Sequence, residues 1–431
     1  MSTVQLIRQV RLVDGVTHTD QIGDVRVEAG RIAAIGAVLD DYPPHTEIIE
    51  GQGKILVPGL VDLYSYSGEP GHESRETLAS LLAAAAAGGI TRLGILPSTL
   101  PAIDHVAMVE SLINHRQVLA IARHGATIPH IYPWGALTAG AQGEQMAALD
   151  DLATAPIVGF ADDQPISNLL LVQRLLEYLQ PFDKPLALWP CDRRLQAGGV
   201  ARQGAFALIY GLVGDPPTSE TTALAALLEC VALTGTPVHL MRITTARGVE
   251  LVTQAKTQGL PVTASTPWMH LVFSTRDLAS YDPTLRLDPP LGNPEDRSAL
   301  ISGLKTGVID AISIDHRPYT YEEKTVSFAT APPGAIGLEL AWPILWQRLV
   351  VNGDWSALDL VQALSTRPAR CWQQSPPSLQ PGQPAEMVLF DPARTWTVGA
   401  QSLQSLALNS PYLGQTVRGQ VVRSWVPVNR P

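Results

Sequence analysis

The sequence predicts an α/β protein: a (β/α)8 TIM barrel carrying a small β domain built from both chain ends. Three observations predict it. Across the middle of the chain, short apolar runs alternate with amphipathic stretches of helical length, which marks βα units and a parallel sheet. At both ends the pattern changes to short strands with tight turns. With 45% hydrophobic and 16% charged residues over 431 positions, the chain can fill a large core and lies far from the composition of disordered chains.

The N-terminal strands are Val4-Gln5-Leu6-Ile7, Asp24-Val25-Arg26-Val27 and, after the turn Glu28-Ala29-Gly30-Arg31, Ile32-Ala33-Ala34-Ile35. The C-terminal ones are Ala385–Asp391 and Thr416–Val426, punctuated by Pro381-Gly382 and Arg418-Gly419. Neither segment suffices for a core of its own, so residues 1–55 and 380–431 are expected to pair into one domain. Between them, residues 56–379 offer eight apolar runs: Leu56–Tyr66, Arg92–Leu96, Val118–His124, Pro156–Asp162, Lys184–Trp189, Pro237–Ile243, Leu260–Thr266 and Asp310–His316. Helical stretches interleave with them: Arg75–Ala87, Asp104–Arg116, Gln145–Leu152, Asn168–Leu179, Glu220–Thr234, Arg247–Gln258 and Ala335–Val351. Such a barrel carries its chemistry at the C-terminal ends of its strands, so functional residues have eight addresses.

Composition removes several function classes. Lys and Arg number 30 against 40 Asp and Glu, a formal charge of −10, and no basic run is present to neutralise successive phosphates, so nucleic acid is not an expected partner. The Ala-rich stretch Leu81–Ile90 falls short of the ~20 residues a membrane span needs. The N-terminus lacks the basic and apolar regions of a signal peptide, and a cytoplasmic location is expected. Cys191, Cys230 and Cys371 are too few and too scattered for a disulfide framework and read as small hydrophobes.

Several segments, in order and with suitable spacing, resemble the dihydroorotase and allantoinase branch of the amidohydrolase superfamily. They are Val57-Pro58-Gly59-Leu60-Val61-Asp62-Leu63, Glu69-Pro70-Gly71-His72-Glu73, the Ala-rich helix running into Gly88-Gly89-Ile90-Thr91, and Leu96-Pro97-Ser98-Thr99. Asp288-Pro289-Pro290-Leu291, Gly307-Val308-Ile309-Asp310-Ala311-Ile312, Asp315-His316 and the run Ala331–Glu339 extend the match over nearly the whole chain. The resemblance implies the same barrel, flanked by a β-sandwich from both termini. It also implies hydrolysis of a cyclic amide by a divalent metal, which lowers the pKa of water and polarises a carbonyl.

The chain departs from that pattern at the metal positions. Where the family's strand 1 ends in His-x-His, this chain has Tyr64-Ser65-Tyr66, and a phenol with a pKa near ~10 is a poor ligand. The strand 5 His is matched by Trp189, whose indole only donates, and the strand 6 His by Arg242, which has no lone pair to give. Asp162 and Asp163 after strand 4 and Asp315 after strand 8, matching the family's catalytic aspartate, remain; two or three carboxylates alone make a weak transition-metal site. Asp162-Asp163 before Gln164-Pro165 reads equally well as turn or cap chemistry. His239 and His316 read as hydrogen-bonded structural histidines.

Substrate positions change as well. Gly68 stands where dihydroorotases place an Arg, Ser98 where they have an Asn, and Trp268 where they have the strand 7 His. As a set, the bulky Tyr64, Tyr66, Trp189 and Trp268 are expected to fill the volume of metal and substrate, with Arg242 beside Asp315 and Asp162 or Asp163. The leading expectation is a dihydroorotase-like pseudoenzyme without metal or other cofactor. Its partner, by resemblance to inactive dihydroorotase homologues, is aspartate transcarbamoylase of pyrimidine biosynthesis, in a homo- or hetero-oligomer. The alternative is an active cyclic amide hydrolase using Asp315 with Asp162 or Asp163 and, on that reading only, zinc. A third reading, a non-catalytic sensor of a pyrimidine ligand, needs an open pocket.

Overall fold

The computed structural model describes residues 4–122 and 127–427. Strands β1 (Gln5–Asp14), β2 (Thr19–Glu28), β3 (Arg31–Gly36), β4 (Glu47–Glu50) and β5 (Ile55–Pro58) open the chain. The barrel strands follow as β6 (Leu60–Ser65), β7 (Ile90–Ile95), β8 (His130–Ala136), β9 (Gly159–Ala161) and β10 (Leu186–Leu188). Two short strands, β11 (Ala201–Arg202) and β12 (Gly214–Asp215), pair in parallel on an excursion before the barrel resumes with β13 (Val238–Leu240), β14 (Val262–Pro267) and β15 (Ala311–Ser313). The chain closes with β16 (Met387–Thr397) and β17 (Thr416–Trp425).

The terminal strands form one seven-stranded sheet, β17-β16-β5-β1-β2-β3 with β4 on β1, so the two chain ends share a sheet through β5 and β16. Its core is alternate apolar side chains such as Ile7, Val25, Ile32, Leu56 and Leu389. The eight barrel strands run in the order β6-β7-β8-β9-β10-β13-β14-β15, each parallel to the next. The ring is brought round to β6 by a seam at the strand ends. Tyr66 N donates to His316 O at 2.9 Å, Asp315 N to Tyr64 O at 3.2 Å, and Ile314 N to the buried Asp62 carboxylate at 2.8 Å.

Two expected runs differ. Leu56–Tyr66 is not one barrel strand: it divides at Gly59 into β5 of the terminal sheet and β6 of the barrel. A Cβ at Gly59 would run into the Thr91 side chain, so the crossing needs glycine. Val118–His124 is not a strand either, since its described part continues the helix Val106–Ala122 and the strand follows at His130–Ala136; residues 123–126 lie outside the described ones. That helix exposes Glu110, Asn114 and Gln117 in its earlier turns but Val118 and Ile121 in its last ones, so the polar face that marks a surface helix stops short of its end. Trp342, Trp346, Trp355 and Trp372 are all core, with Trp342 and Trp346 packed against Phe390 of β16.

The barrel is joined to the terminal sheet by a buried ion pair. Arg92 on β7 makes a two-pronged contact with Glu386, at 2.7 and 3.0 Å, and Thr91 donates to the same carboxylate at 2.9 Å. The remaining Arg92 amino group donates to Ser375 O at 3.0 Å. Breaking one side of such a pair costs about 3–5 kcal/mol. Arg92→Met is therefore expected to destabilise the fold by about that amount, read as a lowered urea midpoint at an unchanged slope.

Candidate active site

The C-terminal ends of β6, β9, β10, β13 and β15 converge on one guanidinium. Arg242, two residues after β13, is 1% exposed, and its Nε and Nη2 donate to the two Asp315 oxygens at 2.9 and 2.8 Å. Nη2 also donates to the Tyr66 hydroxyl at 3.0 Å, and Nη1 to the carbonyl oxygen of Asp163 at 3.0 Å. The cation lies 4.6 Å from the Trp189 ring centre and 5.4 and 5.8 Å from those of Tyr64 and Tyr66. Trp189 is itself placed between two cations, with Arg193 at 4.5 Å on the other contact. Burial works against the charge, but the Asp315 carboxylate and the surrounding phenols hold Arg242 protonated, well above the usual arginine range.

The backbone at both partners is unusual. Arg242 and Asp315 take positive φ values of 54° and 51°, the left-handed region, at a cost of about 1–3 kcal/mol each. At these turns the two side chains leave their strand ends and meet each other. Tyr64 supports them from below: its hydroxyl accepts from Arg242 N at 3.2 Å and from Ser313 Oγ at 3.0 Å, and lies 2.9 Å from Ser265 Oγ. Burial pushes the Tyr64 phenol up to about 12, so it stays neutral. His239 continues this chain, 2.9 Å from Ser265 Oγ and 2.8 Å from Thr263 Oγ1, and burial brings it down to about 3. The structural reading of His239 fits these contacts.

The expected neighbours of Arg242 need one correction. Neither the Asp162 nor the Asp163 carboxylate is its partner; Asp163 contributes a main-chain carbonyl, while its own carboxylate accepts from Gln164 Nε2 at 3.3 Å. Asp162 faces the preceding turn, accepting from Leu137 N at 3.0 Å and Thr138 Oγ1 at 2.5 Å, which is the turn chemistry that was one of its two readings. Burial pushes Asp162 up to about 6. His316 is structural in its contacts, with Gly337 N donating to Nδ1 at 3.1 Å.

The altered substrate positions are also placed. A Cβ at Gly68 would collide with the backbone of Glu76 and His72, so the loop after β6 is drawn in more tightly than a side chain there permits. Ser98 Oγ is buried without a hydrogen-bond partner among the described residues. Trp268 is buried against Gly337 and stacks on Tyr412 at 6.4 Å, a residue from the segment between β16 and β17. The cavity bordered by Asp315, Trp268 and Arg317 is about 20 Å³, room for about one water molecule. Substrate pockets are typically ~300–1,000 Å³.

A catalytic zinc ion needs three or more imidazole, carboxylate or thiolate donors converging on one point. Among the described residues no three His, Cys, Asp or Glu side chains form such a group. At this barrel mouth the converging groups are two phenols, an indole, a guanidinium and the single carboxylate it engages, and the residues do not fit a metal ion. Sequence reasoning missed Arg317, whose guanidinium covers Tyr66 at 4.1 Å, and Asp62, Ser265 and Ser313 beneath it. Thr263 and Ser265, polar residues at alternate positions of β14, are the signal that points inward.

The residue range 53–247 matches the family model described as dihydro-orotase-like. A probable dihydroorotase-like protein of Synechocystis sp. is 43% identical, covering 96% of this chain and 98% of that protein. A dihydroorotase of Solibacter usitatus is 35% identical over 96% and 94%, and a dihydroorotase-like protein of Pseudomonas aeruginosa 36% identical over 96% and 96%. The L-hydantoinase (dihydropyrimidinase) of Arthrobacter aurescens shares the fold, with a TM-score of 0.83 at 22% identity over 100% of this chain and 98% of that one.

Two measurements check this geometry. Arg242→Met deprives Asp315 of its counter-charge and is expected to cost about 3–5 kcal/mol, part of which Asp315→Asn restores in the double variant, read by a denaturation cycle. Burial also pushes Asp62 up to about 7, against the pull of its bonds from Ser65 and Ile314. The folded state then holds that proton more tightly than the unfolded chain, so Asp62's contribution to stability is full below about pH 4 and lost as pH rises through 7. Asp62→Asn is expected to flatten this part of the stability profile between pH 4 and 7, and an unchanged slope would contradict it.

Proposed function

This chain belongs to the dihydroorotase-like family, and we propose that within it the protein is a catalytically inactive homologue, working without metal as a structural or regulatory partner of aspartate transcarbamoylase in pyrimidine biosynthesis. One observation carries the reading: the Asp315 carboxylate, in the position of the family's catalytic aspartate, is bound at both oxygens by a buried arginine. A carboxylate so engaged is unavailable to take a proton from water, and a guanidinium offers no vacant orbital to polarise a carbonyl. The small cavity beside it supports the same reading, because a ring the size of dihydroorotate needs far more space. The partner follows from the resemblance to inactive dihydroorotase homologues that assemble with that enzyme.

The competing reading, a cyclic amide hydrolase acting through Asp315 with Asp162 or Asp163, requires Arg242 to swing away. On its Asp162 form it also requires Asp162 to give up its bonds to Leu137 and Thr138. No helix among the described residues is long and apolar enough to cross a membrane.

The test is metal content of the purified protein together with dihydroorotate turnover in added zinc or manganese, followed by co-purification with aspartate transcarbamoylase from the same cells. Substoichiometric metal, no turnover and a stable complex are expected. Near-stoichiometric metal with turnover overturns inactivity, and a chain that never associates with the transcarbamoylase overturns the partnership.

A further inference from the structure

A cavity of about 500 Å³ lies outside the barrel mouth, between the helical turn Tyr321–Lys324, the residues Pro283 and Thr284, and the segment that crosses from β16 to β17. Its walls are mostly apolar, from Leu406, Leu408 and Leu413 of that segment and the ring of Tyr319. The crossing segment is firmly held. Glu339 accepts from Gln404 N at 2.9 Å and Ser405 N at 3.1 Å, Glu76 from Leu406 N at 3.0 Å, and Asn409 Nδ2 donates to Arg317 O at 3.0 Å.

One charged group in the wall has no anionic partner among the described residues, although its ammonium also lies 5.4 Å from the centre of the Tyr319 ring. Lys324 is 7% exposed, and its ammonium donates to the carbonyl oxygens of Pro283 at 2.9 Å and Pro332 at 2.7 Å. An ammonium has three donors, and among the described residues no carboxylate lies within ion-pair distance of this one. Of the acids near it, Glu323 pairs with Arg75, through contacts of 3.0 and 3.1 Å to Nε, and Asp282 with Thr284 N at 2.9 Å and Oγ1 at 2.7 Å, while Glu322 lines the cavity from an exposed position. Arg286, Arg317 and, in the cavity wall, Arg75 are cations, and among the described residues Arg286 Nε is buried without a hydrogen-bond partner. A buried cation without a counter-ion is unfavourable, and burial together with these arginines brings Lys324 down to about 7.

We propose that this cavity binds a small organic anion, a carboxylate on an apolar or aromatic body, with the carboxylate pairing with the Lys324 ammonium and the body lying against Tyr319, Leu406 and Leu408. The anion supplies the missing charge and accepts the third ammonium proton. The site is separate from the filled barrel mouth and does not rest on the reading of that mouth as inactive.

The test is calorimetric titration of the full-length protein with 2-naphthoate and with its neutral counterpart 2-naphthamide. Saturable binding of the carboxylate, about tenfold tighter than the amide, is expected. Because bound carboxylate holds the Lys324 proton in place, binding is expected to weaken about tenfold from pH 6 to pH 9, with proton uptake visible as a buffer-dependent heat. Lys324→Met is expected to reduce the carboxylate to the level of the amide, and Thr284→Trp, which fills the cavity, to weaken both. No binding of either probe, equal binding of the two, or carboxylate binding indifferent to Lys324→Met overturns the proposal. Should Lys324→Met fail to fold, the comparison of carboxylate with amide and the pH dependence decide it on the unaltered protein.

Discussion

A guanidinium that has lost all contact with water must find partners for nearly all of its donors, and the mouth of this barrel is organised by that requirement. Arg242 meets it with both oxygens of Asp315, the Tyr66 hydroxyl and the Asp163 carbonyl, within three aromatic rings. Strand ends far apart in sequence are thereby fixed relative to one another, and the left-handed backbone at Arg242 and Asp315 is held in place by the pair it creates. Removing either charge leaves the other buried and unmatched, so the constraint is mutual.

The same constraint separates this mouth from a metallohydrolase site in physical terms. A metal centre gathers lone pairs around a vacant orbital, which is what acidifies water and draws electrons from a carbonyl. Here the lone pairs of Asp315 point at N–H groups, and the positive charge is spread over a planar ion that only donates. The tyrosines stay neutral phenols because burial raises their pKa values, so neither becomes a ligand at ordinary pH.

The fold was legible in the sequence because its strongest signal, alternation of apolar runs with helical stretches, survives errors in single elements. The error at Val118 shows the mechanism: Leu119-Ala120-Ile121-Ala122 is apolar on every side, and a helix without a polar face is indistinguishable from a buried strand by periodicity. The strand that was missed, His130–Ala136, contains Pro133 and Gly135, residues that read as punctuation. In the site, the pairing of Arg242 with Asp315 was legible because opposite charges stand at two strand-end addresses. The role of Asp163 was not, since a main-chain carbonyl leaves no trace in residue type. The drawn-in loop at Gly68 was read only as a lost side chain, although glycine is also what lets two backbones approach.

Strained backbone in a protein is usually read as a sign of function, yet here two left-handed residues sit where the described side chains gather no metal. The resolution lies in what a barrel demands of its strand ends. Barrels carry their functional side chains at the C-terminal ends of the strands, and a residue whose φ is reversed there leaves the line of its strand whatever its chemistry. The backbone therefore supplies an address, and the side chain decides what is done there. At Arg242 and Asp315 the address is filled by a pair that satisfies itself, with Arg242 buried beneath and Asp315 left partly exposed at the edge of a cavity of about 20 Å³.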